Sequence, residues 1–194
     1  MEKESKEVSF ICYLESLLED ENRAALAALR RGLSGPPGTV PDTFPYIVPF
    51  LPKDIEADSP RAMPYFIIAS LFALYFSGKG KELSNVKGHN IGRAFLQAKI
   101  DEAKAKGKTE KDIEKETSID SRFVALLNAH YDDLSYHLRY AISFLKSREI
   151  PLDWHKLFKH LCHWSHPNRW VQKELAKGFW GHYKLEEETV KTEQ

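Results

Sequence analysis

The stretch "MPYFIIASLFALYF", residues 63–76, limits the folds open to this chain more than any other. Apolar residues stand at nearly every position, so a helix built from it has no polar face to give to water. Such a helix must be covered on all sides, by protein or by lipid. It is too short for lipid, because a membrane span needs about 20 apolar residues. It is therefore expected as the central helix of a helical lobe, with neighbouring helices supplying apolar stripes to cover it. The residues ahead of it give a start signal, with Ser59 as N-cap and Pro60 at the first helical position.

The rest of the chain supplies such stripes. Val8, Ile11, Leu14 and Leu17–Leu18 repeat at helical spacing. Asp20 is placed to cap a second helix, "NRAALAALRRG", which stops at Gly32. "YIVPFLP" is short and bounded by prolines, so it is expected to dock as a segment and not as a strand in a sheet. "IGRAFLQAKIDEAKAKG", "SIDSRFVALLNAH", "DDLSYHLRYAISFLKS", "LDWHKLFKHLCHW" and a last stretch after Pro167 all read as helices. No stretch alternates with a period of two, and no internal repeat is visible. The fold class is all-α: two small helical lobes, each a helical bundle, joined by a charged linker. "KGKTEKDIEKETS" is charged and poor in large apolar residues, so the boundary is placed there. An N-terminal lobe of 1–115 and a C-terminal lobe of 116–194 with an acidic tail follow.

A hydrophobic fraction of 42% and an aromatic fraction of 12% are enough for a true core, which excludes global disorder. The charged beginning "MEKESKEVSF" has no apolar signal region, and Cys12 and Cys162 form no framework, so a cytoplasmic, reduced protein is expected. The net charge of zero is unevenly spread. Two lysines face seven acids in residues 1–21, and two face four in residues 184–194. Of the 28 basic and 28 acidic residues, 24 and 17 therefore lie between residues 22 and 183. A positive body with acidic ends is compatible with nucleic acid as a partner.

Catalytic and metal chemistry find little support. In "HKLFKHLCHWSHP", His160, His163 and His166 are three apart with Cys162 among them. Steps of three drift around a helix, Pro167 closes the run, and no HExxH or Glu-x-x-His partner is present. Surface histidines flanking a buried helix, with Leu157, Phe158, Leu161, Cys162 and Trp164 as its core face, are the simpler expectation. Neither cysteine sits in a reactive context, and Cys12 reads as core. Asp132–Asp133 fit a helix start. No enzyme activity, no metal and no cofactor are expected.

The basic faces carry more. At about 100° per residue, Leu26, Leu29 and Leu33 share one face of the second helix, and Arg31 points away among Ala24, Ala27 and Ala28. Arg23 and Arg30 share a flank. Small residues around Arg31 would let a nucleic-acid backbone approach closely, while the helix dipole also favours arginine at this end; both readings stand. Leu134, Leu138, Ala141 and Leu145 make a stripe with Arg139 and Lys146 on its flank. In the last helix, Val171, Leu175 and Phe179 face inward and Arg169, Lys173, Lys177 and Trp180 outward. Cations beside an aromatic ring can grip a strand by phosphate contact and stacking.

Seven segments in order, "ALAALRRG", "FPYIVPFLP", "YFIIASLFAL", "NIGRAF", "SRFVALLNAH", "LSYHLRYAISFLKSREIPLDW" and "HWSHPNRWVQKELAKGFWG", resemble the CasB family, the small subunit of the CRISPR type I-E Cascade complex. The resemblance spans nearly the whole chain and is most specific in the last two segments. It implies a non-enzymatic protein of an RNA-guided antiviral assembly, present as two copies. Its partners would be the large and backbone subunits, a second copy of itself, the CRISPR RNA and the target DNA, with no membrane. It would hold the guide–target hybrid and the displaced strand, stabilising the R-loop. By motif position and helix face, the nucleic-acid-binding residues are Arg30, Arg31, Arg93, Arg122, Arg139, Lys146, Arg169 and Lys173. The rival functions are a helical scaffold that binds protein alone and a metal-dependent helical enzyme using His160 and His163.

Overall fold

The structure is a computed structural model. It describes residues 2–78, 87–107 and 117–181, with side chains from residue 9 onward. The charged stretch 108–116, most of the Lys/Gly loop and the acidic tail lie outside the described residues. The architecture is all-α, with no strand among the described residues. Nine helices follow in chain order among those residues: α1 (Glu2–Glu19), α2 (Arg23–Arg31), the single turn α3 (Phe44–Ile47), α4 (Met63–Tyr75), α5 (Ile91–Ala105), α6 (Ser118–Leu127), α7 (Leu134–Ser147), α8 (Trp154–Cys162) and α9 (Trp170–Trp180). None of them is long and apolar enough to cross a membrane.

The chain divides into two compact units, but not where its composition changes. One unit holds residues 1–85 and 153–163, and the other holds 86–152 and 164–194. The boundary expected after residue 115 falls inside the second unit. α5, assigned from sequence to the first lobe, packs on α6, α7 and above all α9. α8, assigned to the second lobe, packs on α1 and α4. Which stripes bury one another, and not where charge is concentrated along the chain, decides which helices form a unit.

In the first unit α4 is central, with every residue from Pro64 to Ala73 buried. α2 and α8 both cover it. Trp154, fully buried in the first turn of α8, meets the rings of Phe72, Tyr75 and Phe76 at 5.2, 5.3 and 6.0 Å. Phe10, Ile11, Leu14 and Leu17 form the buried stripe of α1. Cys12, expected in that stripe, is exposed, because it lies one residue past Ile11 and turns off the face. "YIVPFLP" docks as expected: α3 runs into a 3₁₀ turn, Ile47 is buried, and Phe50 stacks on Tyr13 at 4.3 Å. Two start signals moved. Asn22, not Asp20, caps α2, its Oδ1 accepting from the Ala25 amide at 3.1 Å. α4 begins at Met63 with Pro64 in its first turn, and Ser59 instead closes the preceding turn by donating to the Glu56 carbonyl at 2.6 Å.

In the second unit α5 and α9 cross backbone to backbone. A Cβ on Gly92 would collide with the Leu175 carbonyl oxygen. A Cβ on Gly178 would press on Asn90, whose Oδ1 caps α5 through the Arg93 amide at 3.0 Å. α6 starts with a capping box: Thr117 Oγ1 accepts from the Ile119 amide, and Asp120 Oδ2 accepts from the Thr117 amide. Lys99 of α5 reaches the other Asp120 oxygen at 2.8 Å, and both side chains are buried. Burial pushes the Asp120 carboxyl up, but Lys99 and Thr117 outweigh it and hold the group below the usual carboxylate range.

Gly92→Ala is expected to destabilise the protein by about 1–3 kcal/mol despite alanine's better helix propensity, since a backbone carbonyl cannot step aside. Thermal denaturation measures it. Asp120→Asn strands a buried ammonium and should cost about 3–5 kcal/mol at neutral pH, while Lys99→Met with Asp120→Leu should recover most of that loss. Because the folded carboxyl is held low, its contribution is complete above the unfolded aspartate value of about 3.9 and vanishes as pH falls through the lower folded value. Denaturant midpoints from pH 7 to pH 2 should show that loss in the wild type, with this component missing in the double variant.

Candidate nucleic-acid interface

α2 carries Arg30 and Arg31 in its last turn, where the carbonyl end of a helix favours cations. Its buried face is Ala25, Ala28 and Leu29, packed on α4, while Leu26 and Leu33 are only half-buried. The face expected from the sequence is thus rotated: of the small residues expected around Arg31, Ala28 is buried in the packing of α2, Ala27 is half-buried and Ala24 is exposed, while Ala25 joins the buried face. Ala25 and Ala28 are small beside Leu29 on this face, which suits a close approach to the large apolar side chains of α4. Gly32 belongs to the same contact, since a Cβ there would collide with Ser70 Oγ of α4, while its φ of −55° is ordinary.

The two arginines have different surroundings. Arg30, with Arg23, lines a groove of 620 Å³ whose walls include Leu26 and Phe76, and both guanidiniums are on exposed residues. Glu21 also lines it, 4.0 Å from Arg23. Arg31 donates from Nε to Asp42 at 2.7 Å, with its side chain 55% exposed. Such a surface pair contributes about 0–1 kcal/mol.

In the second unit the α5–α9 crossing gathers cations. Arg93 is exposed in the first turn of α5, and its backbone nitrogen lies beside Gly178, next in sequence to Lys177. Lys173 and Lys177 are exposed on α9 and four residues apart, so they share a face. Arg93 and Lys173 stand near helix N-termini, where the dipole disfavours cations and where neither helix places an acid. The helix dipole does not account for these two positions, which makes them candidates to meet a phosphate. Val171, Leu175 and Phe179 are buried as expected. Trp180 packs edge-on against Phe123 at 5.4 Å and keeps 38% of its surface exposed.

Other predicted positions have structural contacts. Arg169 is the residue before α9, with a left-handed φ of 48°, and its Nη2 donates to the Leu127 carbonyl at the end of α6 at 2.6 Å. It therefore satisfies a helix C-terminus. Arg122, exposed on α6, lies 5.3 Å from the centre of the Phe144 ring. Arg148, which the sequence pattern does not single out, lies 4.2 Å from the same ring and pairs with Glu102 at 2.8 Å. Lys106, then Arg148, hold the Glu102 carboxyl below the usual range. Arg139 is exposed and Lys146 half-buried on α7, whose stripe of Leu134, Leu138, Ala141 and Leu145 is buried as expected.

Tyr136 and Tyr140, also on α7, are not among the expected site residues. They are 59% and 60% exposed, their rings meet edge-on at 4.6 Å, and they flank Arg139 in sequence. A hydrogen bond to Tyr140 raises the Tyr136 phenol above its ordinary value. Their four-residue spacing between polar neighbours was the available signal. The histidine run does not form a shared face. α8 ends at Cys162; His160 is buried in the core and not at the surface, Nδ1 of His163 lies 2.8 Å from the Lys159 carbonyl, and Nδ1 of His166 accepts from the Asn168 amide. Trp164 belongs to the second unit, its indole donating to the Ala129 carbonyl at 3.1 Å, and Cys162 is half-buried.

Residues 25–180 match the model of the family described as CRISPR-associated protein Cse2. The chain belongs to that family. It is 33% identical over 168 residues to the CRISPR-associated protein Cse2 of Thermus thermophilus, covering 87% of this chain and 85% of the relative. The crystal structure of CasB from Thermus thermophilus is similar, with a TM-score of 0.70 and 29% identity over 90% of this chain and 97% of that one. A chain of a CRISPR RNA-guided surveillance complex shares the fold, with a TM-score of 0.67 and 22% identity over 98% of this chain and 99% of that one.

The contacts separate the cations experimentally. Arg169→Ala is expected to cost roughly 1–2 kcal/mol, the value of a charged hydrogen bond reduced for solvent exposure. Arg30→Ala and Lys173→Ala should stay within about ±0.5 kcal/mol of the wild type. Chemical denaturation of the three variants measures this.

Proposed function

We propose that this protein is the non-enzymatic small subunit of a type I-E Cascade, which stabilises the opened target by holding nucleic-acid backbones. Membership of the Cse2 family is the observation that carries the reading. The likeness to a chain of an RNA-guided surveillance complex agrees with it. Its partners are the large and backbone subunits, a second copy of itself, the CRISPR RNA and the target DNA, in the cytoplasm and in antiviral defence.

The chemistry needs no active site. Exchanging a DNA duplex for a guide–target hybrid is nearly balanced in free energy, so a few backbone contacts tip it. Arg30 with Arg23 in the α2 groove, and Arg93 with Lys173 and Lys177 at the α5–α9 crossing, can neutralise phosphates without reading bases. Tyr136 and Tyr140 beside Arg139 offer exposed rings on which unpaired bases of the displaced strand can stack. A protein-only scaffold is the second reading, favoured by the pairing of Arg31 with Asp42 and of Arg148 with Glu102.

The test is assembly. Co-purification with partner subunits should bring guide RNA with the protein. Arg30→Ala with Lys173→Ala should weaken formation of the opened target at low salt and matter less at high salt, without lowering the melting temperature. The log–log salt slope should fall by about 0.9 for each duplex phosphate contact removed. If the double variant opens target DNA as well as the wild type at every salt concentration, the scaffold reading replaces this one.

A further inference from the structure

Cys12, Glu15 and His155 bring a sulfur, a carboxylate and an imidazole together in the first unit. Each can offer one ligand atom, and the three atoms lie within 4.8 Å of one another. Cys12 and Glu15 are three apart on α1 and so share a face. His155 stands in the first turn of α8, which packs on α1, with Phe10 and Phe158 in ring contact at 5.8 Å. Cys12 is exposed, and Glu15 and His155 are half-buried. Nε2 of His155 is 3.9 Å from Glu15 Oε2, beyond hydrogen-bonding reach. Its Nδ1 is buried with no hydrogen-bond partner among the described residues. The imidazole is thus fixed by packing, and it need not break a hydrogen bond to take a metal.

We propose that these three side chains form a site for a borderline-soft divalent cation of the zinc type. Thiolate, imidazole and carboxylate are the donors such a cation prefers, and three protein ligands leave a fourth position for water. Metal–ligand bonds of about 2.0–2.3 Å at tetrahedral angles place ligand atoms about 3.3–3.7 Å apart. The present spacing, within 4.8 Å, has to close to that distance when the cation binds. The cation displaces the proton of the thiol, so binding releases it to solvent. The occupied site ties α1 to α8, the segment that joins the first unit from far along the chain.

The test uses the reduced full chain and Co²⁺ as a spectroscopic probe, with Zn²⁺ as competitor. One equivalent of Co²⁺ should give a thiolate-to-cobalt charge-transfer band that Zn²⁺ abolishes, and Zn²⁺ should raise the melting temperature. Cys12→Ser should lose the band, and His155→Ala should weaken binding at least tenfold. Because Cys12 is exposed, the serine variant keeps the test valid if the alanine variant unfolds. Absence of the band at one equivalent overturns the proposal. So does an equal zinc-induced shift in wild type and Cys12→Ser, which would assign the binding to other groups such as His163 and His166.

Discussion

Where α5 crosses α9, no Cβ stands between the two backbones at Gly92 and Gly178, and the architecture of the second unit follows from that contact. Close approach leaves no room for hydration, so each polar group at the crossing must be satisfied locally. Asn90 does this: its Oδ1 caps α5, and its Nδ2 lies 3.5 Å from the Glu174 carbonyl of α9. The crossing turns Phe179 toward Phe123 of α6 at 4.5 Å and sets Lys99 5.6 Å from the same Phe179 ring. Lys99 is then positioned to meet Asp120, which also caps α6. One helix crossing thereby fixes α6 through an apolar contact and an ion pair that is neutral as a pair.

The same crossing sets where the exposed cations of this unit stand. Arg93 and Lys173–Lys177 stand on the outer side of helices whose inner sides are committed to each other. Arg93 and Lys173 stand near helix N-termini, where the dipole disfavours cations, whereas Lys177 lies in the last turn of α9, where it favours them. Arg169 and Arg148 are different: one completes the end of α6, and the other joins Glu102 and the Phe144 ring. A phosphate could reach such a guanidinium only by sharing it with these contacts. Charge alone is thus a poor guide to which basic residue meets a ligand; the competing internal acceptor has to be known.

Helical periodicity located every long helix described, and the all-round apolar character of residues 63–76 placed α4 at a centre. Local signals were less dependable where several lay close together. Asp20 and Asn22 both suit an N-cap, and the left-handed Glu21, with φ 52°, turns the chain so that Asn22 takes the role. Pro60 and Pro64 both suit a first turn, and α4 uses the later one. For α2, leucine weighs more than alanine in any judgement of the inner face, yet the bulky surface of α4 selected Ala25 and Ala28.

From the sequence by itself came the class of fold, the helices, and the excess of positive charge between acidic ends. These depend on residues near one another in the chain, where period and composition are visible. Tertiary structure alone decided that α5 leaves the N-terminal helices for α9, that α8 returns to α4, and which arginines are held by carboxylates or carbonyls. Those outcomes depend on shape matching between distant stripes, and no local pattern encodes which partner fits. The gathering of Cys12 and Glu15 with His155, far apart in the chain, is of the same kind.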